Sequence, residues 1–176
     1  MNYAWSSIDF SQKGYGVNKI DTHTYIHEMG HILGLEDYYS YDASWNDYDA
    51  LGNLDMQDNN ILDHNAYSKY VLGWTKPYII DETKTTTVIQ LRPFESSGDC
   101  IMLSSSWNGS PFDEYLMLEF YTPTGLNYMD SITGPYHQRA SGFTIPGIKL
   151  LHVDSRLGNM SLSTGTSFPF LSFAAT

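Results

Sequence analysis

Two histidines and a glutamate in the run His27-Glu28-Met29-Gly30-His31 are residues whose types and spacing could do chemistry. Positions four apart lie one turn above each other on a helix. Both imidazoles can therefore reach one metal ion, while Glu28, beside the first, stays free to act as a base. Further on, Gly34 lets the chain leave the helix at an angle that a residue with a Cβ resists, which turns Asp37 back toward the imidazoles as a third ligand. Three protein ligands leave a fourth position for water, whose pKa falls toward neutrality on zinc, so that Glu28 can take its proton. A zinc peptidase needs this arrangement. The plain alternative is a surface helix with incidental histidines.

Several elements have to position these groups. Asp21 or Thr22 can cap the helix, and Tyr25, Ile26, Met29, Ile32 and Leu33 recur at the spacing of a buried side. His23, one turn before His27, reads as a polar first-turn residue. Residues 36–58 carry seven acids, no Lys or Arg, and five aromatics, with no helical or strand period. Two things could tie such a loop down. One is calcium held by some of Asp42, Asp47, Asp49 and Asp55, which lack the spacing of an EF-hand. The other, preferred, is a solvated acidic rim over Tyr38, Tyr39, Tyr41, Trp45 and Tyr48. Within this loop Gly52-Asn-Leu-Asp-Met56-Gln57 has the makings of a tight turn ending in a methionine.

A second helix is expected from Asn59 or Asn60, with Leu62, Ala66, Tyr67, Tyr70 and Val71 on one side and Gly73 and Pro77 as its stop. It contains no glutamate, so it cannot supply the carboxylate ligand that some zinc peptidases take from a later helix. Asp37 is then the best third ligand, with Asp63 a distant second. Ahead of the first helix, residues 1–10 alternate bulky and small side chains as a short strand, whose free edge an extended peptide could join. Residues 11–17, with Gly14 and Gly16, read as a loop or hairpin tip.

After Pro77 the pattern turns to strands at residues 85–91, 100–104, 114–121 and 148–153, separated by Ser, Gly, Asn and Pro clusters. They predict a β-rich region, a sandwich or an antiparallel sheet packed on the first part. His152 and Asp154 on the last of these strands read as structural, and residues 162–176 as the start of a further strand. The fold class is thus α+β, divided into residues 1–76 around the histidines and a β-rich region over residues 77–176.

Composition narrows the function classes. The 176 residues, 41% of them hydrophobic, are enough for a core. The net charge is −11, with eleven acids against three bases in residues 1–75 and nine against six beyond. No basic face for phosphate contacts is visible, which argues against nucleic-acid binding. Cys100 is the only cysteine, so neither an internal disulfide nor a cysteine zinc site can form, and it reads as a small buried hydrophobe. No run of eighteen apolar residues could span a membrane, and the start of the chain does not have the form of a signal peptide.

The runs His27-Glu-Met-Gly-His31-Ile-Leu-Gly34-Leu-Glu-Asp37-Tyr-Tyr, Gly52-Asn-Leu-Asp-Met56 and Asn65-Ala-Tyr-Ser-Lys69-Tyr-Val-Leu-Gly73-Trp74 together resemble the immune inhibitor A family of secreted bacterial metallopeptidases. These are relatives of the metzincins in which aspartate replaces the third histidine. Glu114-Tyr-Leu-Met-Leu-Glu119 and Leu150-Leu-His-Val-Asp154 are similar to the β-rich segment that follows the zinc domain there. The resemblance runs from about residue 20 to about residue 155. It implies zinc bound by His27, His31 and Asp37, Glu28 as catalytic base, and Met56 in the turn beneath the metal as a packing residue. It also implies an extracellular endopeptidase acting on proteins or peptides. In the family a longer catalytic domain, a secretion signal and often a propeptide lie upstream. By this resemblance the chain is expected to be the back half of a metzincin-like domain (active-site helix, Met-turn, C-terminal helix) and part of a β-rich, sandwich-like neighbour. A rival of another class is a non-catalytic module, stabilised by zinc, whose β-rich half recognises a partner.

Overall fold

Helix α1 (His23–Leu33) packs against a single turn of helix, α2 (Met56–Asn59), and these two elements carry the histidines and their support. The computed structural model describes residues 22–39, 51–83, 88–132, 141–161 and 167–171, with side chains described as far as residue 156. The predicted strand at residues 1–10, the loop at 11–17, Asp21, and the loop residues Tyr41, Asp42, Trp45, Asp47, Tyr48 and Asp49 lie outside these.

Further along come α3 (Ala66–Val71), β1 (Tyr78–Ile80), α4 (Phe94–Ser97), β2 (Cys100–Leu103), β3 (Glu114–Tyr121), α5 (Asn127–Ile132) and β4 (Gly147–Asp154). A separate antiparallel pair follows, β5 (Leu157–Ser161) with β6 (Ser167–Leu171). The main sheet has the order β1-β2-β3-β4 and is mixed: β1 runs parallel to β2, and the other pairs are antiparallel. The chain is therefore mixed α and β, as expected. The described strands form one four-stranded sheet and one hairpin. No helix among the described residues is long and apolar enough to cross a membrane.

Alternation explains which face of the sheet is buried. In β3, Tyr115, Met117, Glu119 and Tyr121 point inward while their neighbours are exposed or half-buried. Register then aligns Met102, Met117 and Leu151 across three strands, all buried, as a row down the centre. Ala66, Tyr67 and Phe94 close over this row, so one core joins α3 and α4 to the sheet and crosses residue 76. Met117 is fully buried at its middle. A Met117→Ala variant should lose about 2–5 kcal/mol of stability, because the cavity adds to the lost transfer energy. The check is a lower urea midpoint at unchanged slope.

Glu119, in the next inward position, is buried and polar. Its carboxylate accepts from the Ala66 N–H at 2.6 Å, satisfying one of the donors that a helix N-terminus leaves open, and lies 3.5 Å from Lys149 across the strand pair. The sheet thus caps the helix that rests on it.

Two predicted elements differ. The second helix begins at Ala66, capped by the Asn65 side chain on the Ser68 N–H, and not at residue 59 or 60. The backbone amides of Leu62, Asp63 and Asn65 are taken by the side chains of Asp130, Asn127 and Asp55, and Asn60 and Leu62 adopt left-handed φ values of 54° and 63°. Tertiary acceptors therefore outbid the helical ladder in that stretch. The predicted strand at 85–91 also fails in its described part, where residues 88–91 form none and Val88 is 95% exposed. The edge of β2 is instead paired with β1, a short strand that the period-two pattern does not reveal.

Candidate metal centre

Local chemistry ends α1 where the site needs it to end. Gly34 takes a left-handed conformation (φ 101°, ψ 15°), its N–H donating to the His31 carbonyl and the Leu35 N–H to the Gly30 carbonyl. This is a Schellman cap, and its φ favours glycine. The turn brings the Leu35 carbonyl within 2.9 Å of His31 Nδ1 and carries the chain back so that Asp37 faces the imidazoles. Beyond Asp37 the segment is pinned twice: the Tyr38 N–H donates to the Gln57 carbonyl at 2.9 Å, and the Tyr38 hydroxyl meets Ser68 Oγ at 2.6 Å.

The other support comes from α2. Asp55 caps it, one carboxylate oxygen accepting from the Gln57 N–H at 2.9 Å and the other from the Asn65 N–H at 3.1 Å. Burial pushes this carboxyl up to about 6, against the pull of Lys149 and the two amides. Both oxygens accept from backbone amides, so Asp55 serves the turn; Asp42, Asp47 and Asp49 of the calcium alternative lie outside the described residues. Met56, buried, presents its carbonyl to His27 Nδ1 at 2.8 Å. What Met56 gives the histidines is therefore its backbone carbonyl, on His27.

These contacts decide which ring atoms face one another. A carbonyl oxygen only accepts, so Nδ1 of both histidines carries hydrogen, and in the neutral rings each Nε2 presents a lone pair. The two Nε2 atoms are 3.0 Å apart, and Asp37 Oδ1 lies 3.0 Å from that of His27 and 3.4 Å from that of His31. Three lone-pair atoms at such separations repel one another unless a positive charge sits among them. Tetrahedral zinc, with ligands at about 2.0–2.1 Å, requires donor–donor edges of about 3.3 Å, and the observed set falls around that value. His27, His31 and Asp37 thus form a group able to hold a metal ion.

Burial is uneven across the group. The side chains of His27 and Asp37 are almost wholly enclosed, whereas that of His31 keeps 29% of its surface, so the cluster is open on the His31 side. At His27 burial works against the protonated ring, but the Asp37 carboxylate, the Met56 carbonyl and the charge of Glu28 outweigh it and raise the pKa. The same negative surroundings would attract a metal cation, which competes with the proton for Nε2. Glu28 itself is half-buried, next to His27.

The remaining sequence candidates go elsewhere. Asp63 pairs with Lys69 and is not part of the cluster. His23 does more than start the helix: its Nε2 meets the buried Asp130 at 2.9 Å, and that carboxylate also accepts the Leu62 N–H. His152 pairs with Glu114 and Asp154 with Arg156, as structural contacts. Cys100 is buried, its thiol pushed up to about 11 by burial, which suits the role of a small hydrophobe.

The expected buried side of α1 is corrected by the structure. His27 and Gly30 are its buried residues, whereas Met29 and Leu33 are 51% and 49% exposed. The backbone of α2 occupies the side that carries His27. Tyr25, Ile26, Met29 and Leu33 instead line a cleft of about 660 Å³, together with Trp74, Leu126 and the buried His64. Burial also holds His64 below its ordinary pKa. Comparisons with protein-family models, with curated proteins and with solved structures find no match to this chain.

Proposed function

We propose that the chain carries the zinc centre of a metalloendopeptidase of the immune inhibitor A type, with His27, His31 and Asp37 as ligands and Glu28 as general base. The observation that carries this reading is the convergence of two Nε2 lone pairs and a carboxylate oxygen at tetrahedral spacing, each ring held in one tautomer by a backbone carbonyl. A metal-ligating histidine ordinarily donates its other ring N–H in this way. Two imidazoles with one carboxylate also suit zinc better than calcium, which takes six to eight oxygens.

Zinc held there supplies Lewis acidity and an acidified water at the position the protein leaves open. The chain's own residues do the rest. His27 and His31 hold their Nε2 atoms in place through Met56 and Leu35, and Asp37 brings a negative charge that offsets the ion's. The Glu28 carboxylate takes the proton of the attacking water and hands it to the departing amine of the peptide bond. The open His31 side lets an extended chain approach. Proteins or peptides outside the cell are the substrate class that the resemblance supports.

Metal analysis combined with casein hydrolysis tests the proposal. The expected result is equimolar zinc and cleavage that stops with a chelator and returns with added zinc. Zinc without cleavage would assign the non-catalytic, zinc-stabilised alternative, and a purified chain that takes up no zinc would overturn both.

A further inference from the structure

We infer that Gly30 and Gln57 form a positioning pair whose combined volume sets how far His27 reaches toward the metal. The inference rests on the metal-site reading above and deepens it. Two consecutive residues of α2 hold the two halves of the ligand set: the Met56 carbonyl takes His27 Nδ1, and the Gln57 carbonyl takes the N–H of Tyr38, the residue after Asp37. Anything that moves α1 relative to α2 therefore moves one ligand against the other.

The Gln57 side chain fills the space between these helices. A Cβ on residue 30 would lie 2.8 Å from Gln57 Cδ and 3.0 Å from Nε2, and closer still to Oε1. On a protein surface a glutamine tip would swing aside freely, but Gln57 is fully buried, so a shift of its tip must displace its packed neighbours. Its amide oxygen and nitrogen have no hydrogen-bond partner among the described residues. Such a group costs stability, so polarity does not account for its fit against α1. Volume does: glycine on one side and a long side chain on the other bring the Met56 carbonyl to 2.8 Å from His27.

A size-swap series tests this, with zinc affinity measured by chelator competition and the His27 tautomer of the metal-free protein by imidazole nitrogen NMR at a pH where the ring is neutral. Gly30→Ala should weaken zinc about tenfold or more, the loss typical when a ligand's supporting partner is disturbed. It should also lose the pure Nδ1–H form of His27. Gln57→Met, similar in shape, should keep zinc affinity within about threefold, the volume having changed little, and melt higher because the unpartnered amide is gone. The double variant Gly30→Ala/Gln57→Ala should recover most of the affinity and the tautomer, since the new methyl occupies vacated space. Gly30→Ala binding zinc like the parent, or a double variant no better than Gly30→Ala, would overturn the inference. A parent that binds no zinc refutes the metal-site reading, and the tautomer comparison still decides the pair. If Gly30→Ala fails to fold, recovery in the double variant supports the size argument, and loss of affinity in Gln57→Met opposes it.

Discussion

Under the proposed mechanism, a Glu28→Gln variant will keep zinc and lose hydrolysis by about a hundred- to ten-thousandfold, the range that a positioned general base contributes. Glutamine preserves the shape of the side chain and removes only its ability to hold a proton. Because Glu28 is not among the converging donors, metal content should not change. The measurement is kcat/KM on a peptide substrate alongside zinc by mass spectrometry. An unchanged kcat/KM would move the base to another group. Loss of zinc together with activity would show instead that the substitution had disturbed the ligand helix.

Asp37→Ala separates ligand from base in the opposite direction. It should weaken zinc by more than about a hundredfold, exceeding the effect of disturbing a mere supporting partner. The two imidazoles left behind have no third donor within reach among the described residues. The backbone should stay in place, since Tyr38 remains tied to Gln57 and Ser68. A near-parental far-UV circular dichroism spectrum with no zinc is therefore the expected pair of results. Equimolar zinc in the purified variant would rule Asp37 out as a ligand.

How much of this could be read from the chain depends on whether the cause is local. Helix geometry puts residues 27 and 31 together wherever they occur, and a glycine three residues later meets a left-handed requirement that few other residues meet, so His27, His31, Gly34 and Asp37 were legible. The same holds for the presence of β2, β3 and β4, apolar runs bounded by turn residues, but not for which face each buries: Glu119 is buried while Ile148 and Leu150 are 58% exposed. What was hidden belongs to the backbone and to distant partners. Carbonyls of Met56, Gln57 and Leu35 orient the site, and every residue has a carbonyl, so no residue type marks those three. Side chains of Asp130 and Asn127 take the amides of residues 62 and 63 and delay the helix there, but they lie more than sixty residues away. The exposed stripe of α1 misled for a related reason: periodicity shows that a helix has an apolar side without saying which side its neighbour will occupy.

The hydrogen bond between His23 and Asp130 spans 107 residues, and it bears on when the site comes into being. Helix α1 is only eleven residues long, a length at which an isolated helix is marginal in water and takes its stability from tertiary contacts. Its first turn is fastened to a segment made long after the histidines themselves, and closing so large a loop must be preceded by contacts that bring the ends near. On a ribosome the histidines would emerge well before the carboxylate that anchors their helix. The helix that carries both histidines is thus fully anchored only once the chain has reached residue 130.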